Sequence, residues 1–155
     1  MSAWQHLRLI TIDLDDTVWP CAPVIQAAEM AHYTWLAAQA PRLAERHTID
    51  SLRAHRRALM RQRPELAHDV TVLRQTALYD LLMGLEYSER QAAQLARGAM
   101  AAFRVARNRV EPYAHAAPVL ARLRQHCRLV AVTNGNAEVQ QTPLRDAFDR
   151  CLSAA

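Results

Sequence analysis

The sequence predicts an α/β fold in which a partial parallel sheet is interrupted by an inserted all-helical segment. Two short apolar runs, Leu7–Ile12 and Leu129–Val132, indicate buried strands, and a third extended stretch follows at Cys151–Ser153. Between the first two runs lies a long segment whose apolar residues recur at helical spacing. Strands separated by helices favour an α/β core over an all-helical or all-β one.

Helical periodicity and breaker residues divide the segment between the strands. Four helices are expected there, over residues 24–38, 49–61, 70–81 and 92–102. Pro41 should stop the first, Gly84 should cap the end of the third, and Ser88 with Gln91 forms a capping box before the fourth. Two later helices are expected near residues 119–123 and 144–148. The sequence therefore predicts an α/β core over residues 1–19 and 107–155 and a helical module over residues 20–106.

Composition narrows the class of protein. Apolar residues make up 51% of the 155 residues, enough for a packed core. No apolar run approaches the ~20 residues of a membrane span, and no signal-peptide pattern is present, so we expect a cytoplasmic protein without a membrane partner. The net charge is +4 and all 19 basic residues are Arg. Because these residues are dispersed along amphipathic helices, we expect no nucleic-acid partner.

The acidic turn after the first strand contains the residues suited to catalysis. Asp13 and Asp15 stand two residues apart in the segment Asp13-Leu14-Asp15-Asp16-Thr17, so their side chains can point the same way. Crowded carboxylates repel each other, and a bound divalent cation such as Mg²⁺ relieves that repulsion. One carboxylate can then act as a nucleophile while the other moves a proton.

A second polar turn, Thr133-Asn134-Gly135-Asn136, comes directly after the second strand. In open α/β sheets, ligands bind beyond the carboxyl ends of the strands, and both polar turns lie at such ends. We therefore expect the acidic turn and the threonine turn to face one pocket.

Together these motifs resemble those of the haloacid dehalogenase superfamily of hydrolases with a C1-type helical cap. The resemblance implies a Rossmann-like core in which Asp13 forms an aspartyl phosphate and ligates Mg²⁺. It implies that Asp15 protonates the leaving oxygen, later activates water and reaches the metal through its carbonyl. Thr133 and the neighbouring groups of Asn134 and Gly135 are then the ones that hold the phosphoryl oxygens. Dehalogenases of the superfamily lack the second Asp, so Asp15 favours phosphoryl transfer over carbon–halogen cleavage.

Within the superfamily, the acidic loop, the threonine turn and the stretch from Pro64 to Thr71 look most like the bacterial flavin-mononucleotide and 5-amino-6-(5-phospho-ribitylamino)uracil phosphatase group. This narrower resemblance implies a small phosphorylated metabolite, such as an FMN-like compound, as the substrate. The residues that it marks for substrate contact are Thr17, Trp19, His68, Asp69 and Arg74.

Two further motifs of the superfamily have no counterpart in this sequence. The third supplies a Lys, whereas the chain contains none, and the fourth supplies acidic residues that complete the Mg²⁺ shell. The stretch Phe148–Ala154 resembles the strand that leads to the Lys, so we expect the chain to be truncated just before it. Loss of one stabilising donor lowers enzyme rates roughly 10²- to 10³-fold. Little or no turnover is therefore expected from this polypeptide alone.

Truncation also predicts a sheet edge. In the superfamily, the strands after the missing motifs lie beside the first strand, so Leu7–Ile12 should be exposed along that side. An exposed edge invites pairing with another chain, and self-association through it is expected.

Two other functions stay open. One is a non-catalytic phosphate- or nucleotide-binding module that keeps the pocket without turnover. The other is a phospho-receiver domain, which also uses an acidic pair and a Thr after parallel strands. Receivers, however, keep a Lys and lack the long helical insertion. The insertion therefore argues against a receiver domain but not against a phosphatase or a binding module.

Overall fold

The computed structural model describes residues 6–153 and divides them into two units. The first, the α/β unit, contains residues up to 24 and from 108 onward, and the second, the helical unit, spans residues 25–107. The first boundary lies five residues later than the sequence predicts, because Val24 packs into the apolar core of the α/β unit.

Three parallel strands form the sheet of the α/β unit, in the order β1-β2-β3. They are β1 (Leu9–Ile12), β2 (Arg128–Thr133) and β3 (Arg150–Ser153). Ile12 pairs with Ala131, so the carboxyl ends of β1 and β2 lie side by side. The predicted α/β class with a parallel sheet is confirmed. In the part of the chain that the structure describes, β1 pairs only with β2 and forms a sheet edge, as predicted; self-association through it stays a prediction.

One face of this sheet is packed against the core, and the other is partly open, with Val130 buried at its centre. Ile10, Leu129 and Cys151 lie on the packed face and contact the core that includes α6 (Ala116–Arg124). Three apolar side chains on the opposite face are at least 40% exposed: Leu9, Val132 and Leu152. The prediction of a buried first strand is therefore wrong. Its residues alternate between half-buried and exposed because only Ile10 and Ile12 pack against the core of the α/β unit.

The helix predicted over residues 144–148 is also wrong. These residues form turns in which N–H groups bond to carbonyls three residues back, as from Ala147 to Leu144. The hydroxyl of Thr142 accepts the N–H of Leu144 at 3.3 Å and so competes with a helical bond. So short a segment offers too few helical hydrogen bonds to offset the unfavourable nucleation of a helix.

Five helices lie within or enter the helical unit, and four of them match the predicted ones. They are α1 (Cys21–Gln39), α2 (Pro41–Arg46), α3 (Ile49–Gln62), α4 (Val70–Met83) and α5 (Glu89–Arg107). The unpredicted one is α2, which begins at Pro41 because a proline in the first helical turn needs no N–H partner. No helix between residues 6 and 153 is long and apolar enough to cross a membrane.

The predicted helix ends are largely confirmed. Ser88 and Gln91 form the capping box, since the Ser88 N–H donates to Gln91 Oε1 at 3.0 Å and the Gln91 N–H donates to Ser88 Oγ at 3.4 Å. Gly84 caps α4, as predicted, but its backbone is right-handed. The left-handed residue after that helix is Glu86, with φ of 61°.

Small residues let the helices of this unit pack closely. Ala92, Ala96 and Ala99 lie in one buried cluster with Leu36 and Leu82. Nearby on α5, a Cβ built on Gly98 would lie 2.4 Å from the ring of Trp35 on α1. The absence of a side chain at position 98 is therefore a packing requirement.

A buried ion cluster joins three helices of the same unit. The carboxylate of Glu29, on α1, is only 5% exposed and accepts hydrogen bonds from Arg56 Nη2 at 2.8 Å, from Arg74 Nη1 at 3.2 Å and from Arg53 Nε. These four residues are called the Glu29 cluster below. Burial raises the pKa of Glu29, but the bonds from Arg56 and Arg53 and the charge of Arg74 outweigh it and lower the pKa to about 2. The cluster therefore stabilises the contacts of α1 with α3 and α4.

His32 lies beside this cluster, three residues further along α1. It is 5% exposed, and its ring meets that of Phe103 edge to face with centroids 6.3 Å apart. Burial, as the largest cause, together with the charges of Arg74 and Arg56 and against the opposing charge of Glu29, lowers the pKa of His32 from 6.5 to about 4. The imidazole is therefore neutral at neutral pH.

We expect Gly98→Ala to destabilise the protein. Overpacking a filled site costs about 1–3 kcal/mol, which exceeds the ~1 kcal/mol that Ala gains over Gly in a helix. Gly84→Ala is the matched control, because its Cβ would lie 3.5 Å from the nearest atom and its backbone is right-handed. Urea unfolding followed by circular dichroism measures both variants. Equal stabilities would contradict the close contact with Trp35.

Acidification should weaken the helical unit in two steps. Because the pKa of His32 is lowered from 6.5 to about 4, its contribution is fully present above pH 6.5 and is lost as the pH falls toward 4. The stabilising contribution of Glu29, whose pKa is lowered from 4.5 to about 2, is lost as the pH falls below 4.5. We expect His32→Gln to flatten the dependence of the unfolding free energy on pH between 6.5 and 4. The exposed His126→Gln is the control, and an unchanged slope in the His32 variant would refute the assignment.

Candidate active site

Apolar side chains anchor the acidic loop that follows β1. Leu14, Val18 and Trp19 are at most 4% exposed and pack into the core of the α/β unit. Asp13 and Asp16, which alternate with them, are exposed. The loop is therefore fixed by its apolar residues while these two carboxylates face solvent.

A tight turn gives the loop its shape. The N–H groups of Thr17 and Val18 both donate to the Leu14 carbonyl, at 3.1 and 2.9 Å. Asp16 has φ of 58°, a left-handed conformation that Asp adopts more readily than most residues. Its Oδ1 accepts the Cys21 N–H at 2.8 Å, at the first residue of α1. The loop thus leads directly into a helix start that its own carboxylate caps.

The acidic turn and the threonine turn share one cavity, as predicted. It is open, has a volume of about 430 Å³, and is lined by Thr11, Ile12, Asp13, Val132, Thr133 and Asn134. Adjacent strands lie about 4.8 Å apart, and pairing of Ile12 with Ala131 brings the two turns to neighbouring positions at the same sheet end. Asp13 and Thr133 are therefore brought together across the sequence by the register of two strands.

Thr133 is positioned to donate a hydrogen bond. The side chain is 3% exposed, and its Oγ1 accepts the Gly135 N–H at 3.0 Å. The hydroxyl hydrogen can then be directed to a ligand oxygen in the cavity. The Gly135 amide, implied as a phosphate donor by the resemblance, is used within the turn, and Gly135 does not line the cavity.

Asn108 holds the segment that follows this turn, and sequence reasoning missed it. It is 4% exposed; its Oδ1 accepts the Glu138 N–H at 2.9 Å and its Nδ2 donates to Gln141 Oε1 at 3.2 Å. A lone Asn at the end of a helical segment carries no signal of such a role. The contacts with residues 138–141 appear only when the chain folds back on itself.

Asp15 is half-buried, and Trp19 holds its carboxylate. The indole Nε1–H donates to Asp15 Oδ1 at 2.9 Å, and a backbone bridge also links the two residues. Trp19 is 0% exposed, so it presents no surface to a substrate in this structure. Trp19, which the resemblance marked for substrate contact, instead binds Asp15, the predicted proton-transfer residue.

The oxygen donors at this site suit Mg²⁺ in kind. The ion commonly takes one or two carboxylates from the protein and fills its shell with water and substrate oxygens. Asp13 supplies an exposed carboxylate, and Asp15, whose backbone carbonyl the resemblance implies as a ligand, lies in the same loop. Across residues 6–153, no group of three or more His, Cys, Asp or Glu side chains converges as a ready-made metal site.

The other residues marked for substrate contact fall into two groups. Thr17 and His68 are exposed. Asp69 and Arg74 have structural contacts instead. Asp69 caps α4, where its Oδ1 accepts the N–H groups of the residues two and three positions later, each at 2.9 Å. Arg74 belongs to the Glu29 cluster, and its guanidinium carbon lies 4.1 Å from the centre of the Phe103 ring. Sequence reasoning missed Glu29 itself, because a single acid in an Ala-rich helix looks like an exposed residue.

Comparison with known proteins finds both a phosphatase and a dehalogenase among the relatives. The chain is similar to 5-amino-6-(5-phospho-D-ribitylamino)uracil phosphatase YigB from Escherichia coli (strain K12), with 32% identity over 149 residues that make up 96% of this chain and 62% of the relative. It is also similar to the solved structure of a 2-haloacid dehalogenase from Pseudomonas syringae pv. Tomato DC3000, with 36% identity and a TM-score of 0.87. That match covers 96% of this chain and 64% of the other.

A more distant structure supports the fold alone. The putative HAD-hydrolase YfnB from Bacillus subtilis, bound to magnesium, has 22% identity and a TM-score of 0.52 over 95% of this chain and 63% of its own. The chain thus spans less than two thirds of the length of each of these relatives. The family profile described as haloacid dehalogenase-like hydrolase matches residues 7–154. With that match over nearly its whole length, the chain belongs to the haloacid dehalogenase-like hydrolase family.

Proposed function

We propose that this chain carries the nucleophile and the phosphate-binding turn of a phosphomonoester hydrolase. Membership of the family supports the hydrolase class, and hydrolysis of a phosphoester by this chain is the proposal. The observation that carries it is that Asp13 and Thr133 line one open cavity at the ends of adjacent parallel strands. A carboxylate and a hydroxyl donor are thereby placed around a space that admits a phosphoryl group.

The chemistry proceeds in two displacements. A carboxylate oxygen of Asp13 attacks phosphorus, the bond from phosphorus to the ester oxygen breaks, and Asp15 gives its proton to the departing oxygen. Water then attacks phosphorus and gives a proton to Asp15, so that phosphate leaves and the Asp13 carboxylate is restored. Throughout, the Thr133 hydroxyl donates to a phosphoryl oxygen.

Asp13 and Asp15 are the residues that would hold Mg²⁺. When bound, the ion offsets the negative charge of the carboxylates and the phosphate. The residues of the chain then have separate tasks. Asp13 supplies the nucleophilic oxygen, Trp19 orients Asp15 for proton transfer, and Leu14 and Val18 anchor the loop in the core.

Asp15 favours a phosphatase over a dehalogenase, although both kinds of relative are found. Cleavage of a carbon–halogen bond releases halide, a leaving group that needs no proton, whereas an ester oxygen leaves more readily when it is protonated. A half-buried carboxylate held by an indole N–H is suited to that second task. Any turnover by the chain, which we expect to be slow, should release phosphate from a phosphomonoester and no halide from 2-chloropropionate.

The proposed substrate is a small phosphorylated metabolite. The relative with 32% identity is a 5-amino-6-(5-phospho-D-ribitylamino)uracil phosphatase, so FMN and similar ribityl phosphates are the first compounds to test. This chain spans 62% of that relative, so an activity like that of the whole relative is part of the proposal for this chain. The cytoplasmic location expected from the sequence also stays a prediction.

A second candidate function, binding without turnover, is favoured by one observation. The chain contains no Lys, and a Lys is the cation that the resemblance implies beside the carboxylates and the phosphate. A phosphate-binding module of this kind would bind inorganic phosphate or FMN but form no phospho-enzyme. The covalent step therefore separates the two candidates.

We expect the chain to accept one phosphoryl group at Asp13. The protein is incubated with Mg²⁺ and acetyl phosphate, and its intact mass should increase by one phosphoryl group, which peptide mapping then assigns to Asp13. Asp13→Asn should show no increase, because an amide oxygen is a poor nucleophile. Asp16→Asn, an exposed carboxylate in the same loop, is the matched control and should still be labelled. Equal labelling of the parent and Asp13→Asn would remove Asp13 from its role.

Trp19→Phe should impair protonation of the leaving oxygen more than nucleophilic attack. The indole N–H is lost while an aromatic ring still fills the core, and a hydrogen bond to a charged group contributes about 1.5–3 kcal/mol. Phospho-enzyme formation from FMN, with a poor alkoxide leaving group, should therefore slow roughly 10- to 100-fold. Labelling by p-nitrophenyl phosphate should change much less. Trp35→Phe in the helical unit is the control, and equal slowing with both donors would contradict the positioning role.

A further inference from the structure

The Glu29 cluster leaves positive charge unbalanced inside the helical unit. It contains three guanidinium groups and one carboxylate; among residues 6–153, the only other acid bonded to it is Asp50, which is 87% exposed and pairs with Arg53 at 2.9 Å. Even with Asp50 included, positive groups outnumber negative ones. Buried charge is stable only when it is paired, so this arrangement favours an additional negative group.

Two buried nitrogen atoms beside the cluster point to where that group would bind. His32 Nε2 and Arg74 Nε are both inaccessible to solvent, and neither has a hydrogen-bond partner in the described chain. Buried polar atoms are nearly always bonded in native proteins. Both side chains, together with Arg56, line the same small cavity, which apolar residues including Leu52 and Leu81 close on the other sides.

The size of the cavity limits what enters it. Its volume is about 20 Å³, and one water molecule needs roughly 10–15 Å³ by this measure. One oxygen atom of a carboxylate or phosphate therefore fits, while the rest of the ligand stays outside. The outer part of the cluster is open to such a ligand, because Arg56 and Arg53 are 22% and 33% exposed.

The arginines are held in place before any ligand arrives. Arg74 and Arg56 share Glu29 Oε1 as an acceptor, and the Arg74 guanidinium also lies 4.1 Å from the centre of the Phe103 ring. Preorganised donors bind an anion without the entropic cost of ordering long side chains. Planar guanidinium groups match the geometry of carboxylates and phosphates.

We propose that the helical unit contains an oxyanion-binding site in which one oxygen of a carboxylate or phosphate monoester enters this cavity and is bonded by Arg56, Arg74 and His32. In the tautomer that carries its proton on Nε2, His32 donates to that oxygen. Glu29 holds the arginines and does not touch the ligand. The site is independent of the chemistry at Asp13 and stands whether or not the chain transfers phosphoryl groups.

Inorganic phosphate and acetate are the probes, each titrated into ¹⁵N-labelled protein at constant ionic strength. We expect saturable shifts of backbone amides in α1, α3 and α4 near His32, Arg56 and Arg74. Shifts near Asp13 and Thr133 report the α/β unit separately, so the two sites are distinguished in one titration. Saturation by either anion supports the site, and the pair of titrations shows which oxyanion it prefers.

Arg56→Gln and Arg53→Gln form a matched pair. Each variant loses one bond to Glu29, but only Arg56 lines the cavity. Arg56→Gln should weaken binding in the helical unit roughly tenfold or more, and Arg53→Gln should leave it nearly unchanged. His32→Leu removes a cavity donor without touching any ion pair and should also weaken binding, which keeps the test valid if Arg56→Gln fails to fold. Absence of saturable shifts in the helical unit, or equal weakening in the two arginine variants, would overturn the proposal.

Discussion

The parallel pairing of β1 with β2 is the constraint on which the site depends. It joins residues separated by the whole helical unit, and its register, Ile12 opposite Ala131, places Asp13 and Thr133 at one cavity. A shift of one residue would turn the side chains of β1 over and remove its half-buried residues from the core, so burial of one sheet face specifies the register.

Each unit holds one carboxylate by hydrogen bonds from side chains that the fold positions. In the α/β unit, a fully buried indole binds Asp15, and in the helical unit three guanidinium groups surround Glu29. The difference lies in exposure. Asp15 is half-buried in the loop whose Asp13 lines an open cavity, whereas Glu29 is 5% exposed and holds three arginines in place.

Local patterns predicted most of the helices, because apolar spacing and capping residues act within a few positions of one another. Ser88 with Gln91 is an example, since both bonds of the capping box lie inside one turn. The errors concern features that local patterns cannot express. An apolar run such as Leu9–Ile12 shows that a strand forms but not how many neighbours cover it, and the apolar residues near Leu144 do not show that hydrogen bonds three residues back replace a helix there.

The sequence by itself determined the α/β class, the helical insertion and the residues of the acidic and threonine turns, because all of these depend on residue type and short-range spacing. Only the tertiary structure decided that Trp19 binds Asp15 rather than facing a substrate, that Asn108 holds the segment after the threonine turn, and that Glu29 gathers three arginines. Burial and long-range pairing are properties of the folded chain. The sequence does not distinguish a buried polar residue from an exposed one of the same type. The two differ in the neighbours that folding brings within hydrogen-bond distance.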